Sequence, residues 1–444
     1  MFDSQRFAAV SARRHLVAGA AILSGLLLQI AGFTWLSIPE WLVGGCLWLA
    51  VMLEWQDLPR RARQQAGILV GLGLGFLLIG RWYYQAPLPW SAIPASNAQV
   101  VAMLVGVSFI GLIKSGATPP QQGGRDATGV KGVISTWSST HLLGSILNLS
   151  AVFMVGDHIK ARGGLALPQL IALNRGLSSA ALWSPFFASM AVAMGLVPEM
   201  QYGWILAFGL PLAAFAGGFT AWETNRRFDL ASVQGFALSS SSLLMPVAMA
   251  ALVMLFHYLL IPSLAIISII TFLLPGVALL SNLTDGVTRT ASRLGQHVTG
   301  RLPNMRGEIS LFLSAGLFTL GLSTLIDALA GDQWQLFEQF GAFEAGLSYL
   351  TIVVSTVLGL HPIIGISTLA AMLDMTTTNP TLFAYVALTC WGVGSALGPL
   401  TGINLSLQGR YGVNGFEMTK RNLWYAAGMS LVILPSFALM AAWL

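Results

Sequence analysis

Two stretches of this chain place side chains capable of ligand chemistry at matching intervals. Ser135, Thr136 and His141 in the first, and Ser355, Thr356 and His361 in the second, both spell Ser-Thr-x4-His at an offset of 220 positions. Val133, Ile146, Leu149 and Ala151 stand at the same offset from Val353, Ile366, Leu369 and Ala371. An imidazole changes charge near neutral pH, so His141 and His361 suit substrate binding or proton coupling. Capping a hairpin turn through one ring nitrogen suits them equally. Ser139, Thr140, Asn148, Ser367 and Thr368 lie close by in the chain. Neutral hydroxyls, amides and freed carbonyls coordinate Na+ and hydrogen-bond a carboxylate or oxyanion, which makes these five candidate substrate ligands and Ser135, Thr136, Ser355, Thr356 and Gly398 candidate ion ligands. Any Ser or Thr among them reads by itself as ordinary helix packing in a membrane, so the cluster carries the expectation.

The apolar segment that follows each stretch is interrupted. Gly398-Pro399-Leu400-Thr401-Gly402 sets a helix-breaking proline between two glycines, and Ser184-Pro185 is its weaker counterpart. Gly176 and Pro185 answer Gly392 and Pro399, with two residues fewer between the marks in the second copy, while Met190 and Gly195 match Asn404 and Gly409. Non-helical backbone at membrane depth is tolerated only where protein or a water-filled cavity satisfies its polar groups, so such breaks mark sites. Ser178, Ser179, Ser184, Thr401 and Asn404 surround them. A simple proline kink is the plainer alternative. Arg175 lies about seven positions past Pro168, roughly 10 Å into its apolar segment at helical rise. An intramembrane charge is by default a functional candidate, here the counter-charge of an anion. Snorkelling to the surface or bracing the first hairpin is the structural alternative.

These residues need a membrane-embedded scaffold, and the composition supplies one. The chain has 444 residues, 55% hydrophobic and only 9% charged, with a mean hydropathy of +0.73. Soluble domains carry about 25% charged residues. The excess of 22 Lys and Arg over 17 Asp and Glu is the kind that cytoplasmic loops produce and implies no nucleic-acid partner. Cys46 and Cys390 offer neither a disulfide framework nor a metal-ligand spacing. The run from Leu16 to Trp35, behind Arg6, Arg13 and Arg14, is too long for a signal-peptide core and suits an uncleaved first span. No nucleophile constellation, phosphate loop or HExxH spacing points to an enzyme. No cofactor is expected beyond Na+ as a coupling ion.

Apolar runs long enough to span begin near residues 15, 39, 64, 97, 167, 203, 240, 262, 307, 380 and 422, eleven in all. The Ser-Thr-x4-His segments 131–157 and 345–375 are read as re-entrant hairpins. If both return to the side they came from, every Lys and Arg except Arg81 and Arg175 falls on one side, the cytoplasmic one by the positive-inside rule. The N-terminus is then cytoplasmic and the C-terminus external in a plasma membrane, the inner one in a Gram-negative cell. The predicted fold is an all-α polytopic membrane protein with an inverted repeat. Residues 1–38 form an extra first helix. Repeat 1 covers 39–225, with a cytoplasmic hairpin and a broken helix over 167–196. Repeat 2 covers 226–444, with an external hairpin and a broken helix over 380–408. Each hairpin arm, at roughly 12 to 14 residues, reaches near the bilayer midplane, which sets His141 and His361 near the two tips. Asp157 and Asp374 end the hairpins at matching places and suit capping or water exposure. Residues 115–130 read as a cytoplasmic loop and 284–306 as a polar, basic linker. Residues 333–345 suit an external interfacial helix or an amphipathic loop packed on the bundle.

This arrangement resembles the ion transporter superfamily, and within it the divalent anion/sodium symporter (DASS) family, over nearly the whole chain. The resemblance implies a homodimer working by an elevator motion, in which the hairpins and the fifth, sixth, tenth and eleventh spans form a transport domain and the rest a scaffold. The family's Ser-Asn-Thr hairpin-tip motif is replaced here by Ser139-Thr140-His141 and Gly359-Leu360-His361. Residues and resemblance together lead to a secondary active transporter of a small anion, an organic acid or oxyanion, coupled to Na+ or H+ and surrounded by lipid. A proton-coupled exporter, a cation/proton antiporter and a membrane-embedded lipid-handling protein are the alternatives.

Overall fold

The computed structural model describes residues 2–33, 36–113, 127–236, 240–331 and 334–444, with backbone alone at 2–12, 240–243, 245 and 246. Lys114, Arg125, Pro119-Pro120, Gly123-Gly124, Asp332 and Trp35 lie outside the described residues. Among those described, the chain is helical without a β-strand. Eight helices are long and apolar enough to cross a membrane. The second of the eleven expected spans is a helix of only 15 residues, about 22 Å at helical rise against roughly 30 Å of hydrocarbon. The fifth is divided in two, and the seventh has 16 residues.

One compact unit gathers Met1–Lys114 and Val253–Gln335 with Ala370–Met372. It contains α1 (Phe2–Gly32), α2 (Glu40–Glu54), α3 (Arg60–Tyr84), α4 (Ala98–Ser108), and, after α10 (Ser240–Leu255), α11 (Ile266–Leu283), α12 (Val287–Gln296) and α13 (Arg306–Ala330). Small residues let its backbones touch: a Cβ on Gly73 would stand 2.7 Å from the Leu317 carbonyl oxygen, and close backbone approach is how membrane helices gain packing energy without a hydrophobic drive. The basic linker contains a helix, α12. Thr290, His297, Leu302 and Pro303 are buried along this stretch while Arg289 and Arg301 face outward. Desolvation, reinforced by Arg301, lowers the pKa of His297 to about 4. The neutral ring shares a 3.0 Å hydrogen bond with Ser108.

The second unit gathers Ser115–Leu252, Leu336–Leu369 and Leu373–Leu444. In it one order of elements occurs twice. A helical hairpin of α5 (Gly129–Leu147) and α6 (Leu149–Ala161) precedes a broken helix, α7 (Leu167–Ala180) and α8 (Ala188–Leu196), and a long helix, α9 (Tyr202–Arg227). The second set is α14 (Ala342–Val357) and α15 (Pro362–Met372), then α16 (Pro380–Leu397) and α17 (Gly402–Tyr411), then α18 (Gly415–Trp443). Prolines begin several of these helices because the first turn needs no amide donor there. Asn379 caps α16, its Oδ1 accepting from the Thr381 and Leu382 amides at 3.0 and 3.1 Å.

The register of the repeat differs from the one read in the sequence. Gly129 and Ala342, Leu167 and Pro380, and Tyr202 and Gly415 each stand 213 positions apart, and Ala188 and Gly402 stand 214 apart. The offset of 220 therefore pairs residues from different places. The first hairpin runs longer than expected, 129–161, and the second is shifted by three residues, to 342–372. The first turns at Asn148, where φ is +51°, so His141 lies seven residues before the turn, about 10 Å along α5. Only His361 sits in a turn. Residues 334–341 are irregular, without a helix. Phe340 instead packs against Phe383 with ring centroids 6.3 Å apart, the loop form of the two expected there.

Candidate functional site

The site is built where each hairpin meets its broken helix. At the first junction, His141 is the centre. Its ring stacks on Trp137 at 4.7 Å and 10° between planes. Trp183 Nε1 donates to its Nε2 at 3.0 Å. An indole nitrogen can only donate, so Nε2 is an acceptor and the ring proton sits on Nδ1. From there it is donated to Ser179 Oγ at 2.9 Å or the Gly176 carbonyl at 3.2 Å. The imidazole is thereby held neutral, in one tautomer. Closer to the turn, the Ser184 hydroxyl donates to the Ser145 carbonyl, and Asn148 Nδ2 donates to the Phe186 carbonyl at 3.2 Å. The hairpin turn is thus fastened to the break, where Pro185 has ended α7. The backbone at Gly176 approaches so closely that a Cβ there would lie 2.7 Å from the Trp137 carbonyl oxygen.

At the second junction, contact is mainly by shape. His361 caps α15, its Nδ1 accepting from the Ile363 amide at 3.2 Å, and its ring meets Trp391 edge-on at 5.2 Å. A Cβ on Gly394 would lie 2.9 Å from both Pro362 Cγ and Thr356 Cγ2, and one on Gly398 would lie 3.1 Å from the Thr356 carbonyl oxygen. Inside the break, Thr401 Oγ1 donates to the carbonyls of Ser395 and Gly398 at 2.8 and 2.9 Å. Asn404 Nδ2 donates to the Gly398 carbonyl at 2.9 Å. These side chains replace the helical amides that Pro399 removes.

Several expected ligands turn their hydroxyls to the backbone. Ser135 and Thr136 donate to the Gly132 carbonyl at 3.1 and 2.9 Å, and Thr140 to Thr136 at 2.8 Å. Ser139 donates to the Phe236 carbonyl at 2.9 Å, tying the segment before α10 to the hairpin. Ser355, Thr356 and Thr368 bond to carbonyls one turn earlier, each at 2.7 Å. Ser367 is buried on α15. The bonds to carbonyls one turn earlier are common within helices and leave those oxygens' lone pairs as what they can offer an ion.

Arg175 is fully buried, as expected of an intramembrane charge, and it has resident partners. Its Nη1 donates to Glu223 Oε2 at 2.7 Å, its Nε to Asn422 Oδ1 at 2.8 Å, and its Nη2 to the Arg421 carbonyl at 3.2 Å. The guanidinium also lies 4.4 Å from the Tyr425 ring centre. The second Glu223 oxygen is 2.9 Å from Arg227. The geometry therefore makes Arg175 a brace among α7, α9 and α18, in place of a tie to the first hairpin or a side chain snorkelling to the surface. Glu223, Asn174, Asn422, Trp137 and Trp183 are the site residues that sequence reasoning missed. Nothing in the spacing pairs Glu223 with Arg175, and Arg226 and Arg227 make its surroundings look like a helix end at the water.

The buried donors without a hydrogen-bond partner among the described residues include Trp137 Nε1 on α5 and Ser178 Oγ on α7. Leaving such groups unpaired costs about 1–3 kcal/mol each, so both suit a ligand or water. In the other unit, His15, Glu54 and Asp57 stand within 4.8 Å of one another with metal-ligand chemistry. Arg14 is paired with Asp57, however, and Arg306 stands 3.7 Å from Glu54. Both carboxylates are already balanced by resident cations, which suits an ion-pair tie better than a metal.

No family model and no curated protein matches the chain. Among solved structures it is similar to the Alcanivorax borkumensis YdaH transporter, described as having an unusual topology, at 14% identity over 84% of this chain and 87% of that one, with a TM-score of 0.45.

Proposed function

We propose that the protein is a secondary active transporter of a small anion, coupled to Na+ or H+, with its substrate site in the hairpin unit. One observation carries the reading: a hairpin turn meets a broken helix twice within a single compact unit, the arrangement that secondary transporters use to expose backbone at membrane depth. Four helix N-termini belong to these junctions, those of α6, α8, α15 and α17. Each presents the positive end of a helix dipole, and all but α15, whose Ile363 amide His361 already caps, offer amides as well. Together with the free donors Trp137 and Ser178, they supply the attraction for a carboxylate or oxyanion that the sequence points to in Arg175. The grouping of the first hairpin, all but the last three residues of the second, both broken helices, α9 and α18 in one unit supports a transport domain that moves as a body, hence an elevator mechanism in a homodimer. The hairpins re-enter from opposite sides and the repeats are inverted in this reading, with a cytoplasmic N-terminus.

A second reading, a proton-coupled exporter or antiporter, draws on the His141 tautomer. Protonating Nε2 would set a donor against the Trp183 N–H and open the first junction.

The test is uptake into proteoliposomes of pooled carboxylates and inorganic oxyanions, with Na+ and pH gradients imposed separately. Gradient-driven uptake should be abolished by Gly402→Leu, because that glycine is exposed at the start of α17 and an added Cβ meets nothing within 4 Å. The variant adds bulk at the start of α17 without disturbing packing. Uptake unaffected by Gly402→Leu would remove the site from this junction, and silence across the panel in folded protein would remove the anion.

A further inference from the structure

The brace at Arg175 continues as a directed chain of amides that ends on the broken helix. Arginine has donors only, so Asn422 must turn its Oδ1 toward Arg175 Nε. The Asn422 amide nitrogen therefore points the other way, donating to Asn174 Oδ1 at 3.0 Å and to the Ala396 carbonyl at 2.7 Å. Asn174 is forced in turn to donate its own nitrogen to Asn404 Oδ1, at 2.8 Å. Asn404 then has no choice but to aim its nitrogen at the carbonyls of Gly398 and Ala396, at 2.9 and 3.2 Å. Asn174, Arg175, Asn404 and Asn422 are all at most 1% exposed, so water does not compete for these bonds.

We infer that Arg175 is a positioning residue for the break between α16 and α17: through Asn422, Asn174 and Asn404 it fixes which way the amides face and thereby holds the Ala396 and Gly398 carbonyls in place. The chain links residues of both repeats, since Asn174 and Arg175 belong to the first broken helix and Asn404 and Asn422 to the second repeat. Its consequence for binding rests on the transporter reading, but the orientation itself does not.

Asn422→Asp tests it. The new carboxylate strengthens the pair with Arg175, yet it has no proton for Asn174 or Ala396. Asn174 then turns its nitrogen back toward residue 422, Asn404 follows, and the Ala396 carbonyl loses both its side-chain amide donors while the Gly398 carbonyl keeps only Thr401. The readout is N-ethylmaleimide labelling of Ser395→Cys, a buried position beside the break, in nanodiscs and in a Cys46→Ser, Cys390→Ala background. We expect labelling to quicken roughly tenfold in Asn422→Asp, about the net effect of one lost hydrogen bond. Glu223→Gln, which keeps an acceptor for Arg175 and leaves the chain intact, should label at the parental rate. Arg175→Gln, whose amide can present its oxygen to Asn422, provides a second route to the same increase. An unchanged rate in Asn422→Asp and Arg175→Gln, or an equal rise in Glu223→Gln, would reduce Arg175 to a packing brace. Labelling requires no transport, so a silent uptake screen leaves this result to be judged alone.

Discussion

The two hairpin junctions share one order of elements and are fastened by different physics. The first is held by side-chain hydrogen bonds that run from hairpin to break, centred on a histidine whose two nitrogens are both engaged. The second is held by the fit of glycine backbone against Pro362, Thr356 and Leu400, while its histidine caps its own helix. A polar lock is sensitive to the loss of any one partner, because the other is left buried and unpaired. A steric fit is sensitive to added volume. The same architectural repeat thus responds to opposite kinds of substitution.

The largest effect should come from emptying the polar lock. His141→Leu strands Trp183 Nε1, at about 1–3 kcal/mol, and removes the ring stacked on Trp137, worth about 1 kcal/mol, while Ser179 keeps its bond to the Gly176 carbonyl. We expect about 3 kcal/mol of destabilisation, read as a lowered unfolding midpoint in detergent. If His141→Leu proves no more damaging than His361→Leu, the contrast between the junctions is lost.

Next, Gly394→Val should cost about 2 kcal/mol, within the usual range for overpacking. The Pro362 ring, which would stand 2.9 Å from the added Cβ, is rigid and cannot rotate away. A neutral outcome in the same midpoint assay would show that the second junction has slack.

His361→Leu should lose only a helix cap, about 1 kcal/mol, and His361→Ser should recover most of it because serine caps well. Failure of serine to rescue would give the imidazole a role beyond the cap.

The smallest difference is expected at the hairpin bases. Asp157 is paired with Arg410 at a half-exposed site, and that hydrogen bond holds its carboxyl below the usual carboxylate range. Its contribution is present above the ordinary pKa near 3.8 and disappears as pH falls through the lowered value. An exposed pair of this kind is worth under about 1 kcal/mol and is screened by salt. Asp374, lowered by the hydroxyl and amide of Thr376, should keep its effect at high salt. Midpoints of Asp157→Asn and Asp374→Asn, taken with and without about 1 M salt, would separate them. Equal salt sensitivity would erase the distinction.

Much of this site is legible in the chain because its causes are local. Pro185 and Pro399 end helices wherever they stand, since a proline removes an amide and clashes with the preceding turn. The breaks at 181–187 and 398–401 fall accordingly. Asn148, read in the sequence as a candidate ligand of the hairpin, is the turn itself. The linker helix α12 escapes the sequence reading because it is mostly polar and buries Thr290 alone. The repeat is visible in the sequence, but in the wrong register. Identical letters seven positions off outweigh element lengths that only the folded chain displays.

The sequence by itself determined that this is a helical, membrane-compatible chain with two interrupted segments and two hairpins, because hydropathy, proline and glycine act over a few residues. Tertiary structure decided the partners. Arg175 meets Glu223 and Asn422, 48 and 247 positions away, and the tautomer of His141 is dictated by Trp183 from beyond the hairpin. A hydrogen bond depends on where a donor and an acceptor come to rest in space, and spacing along the chain does not contain that information.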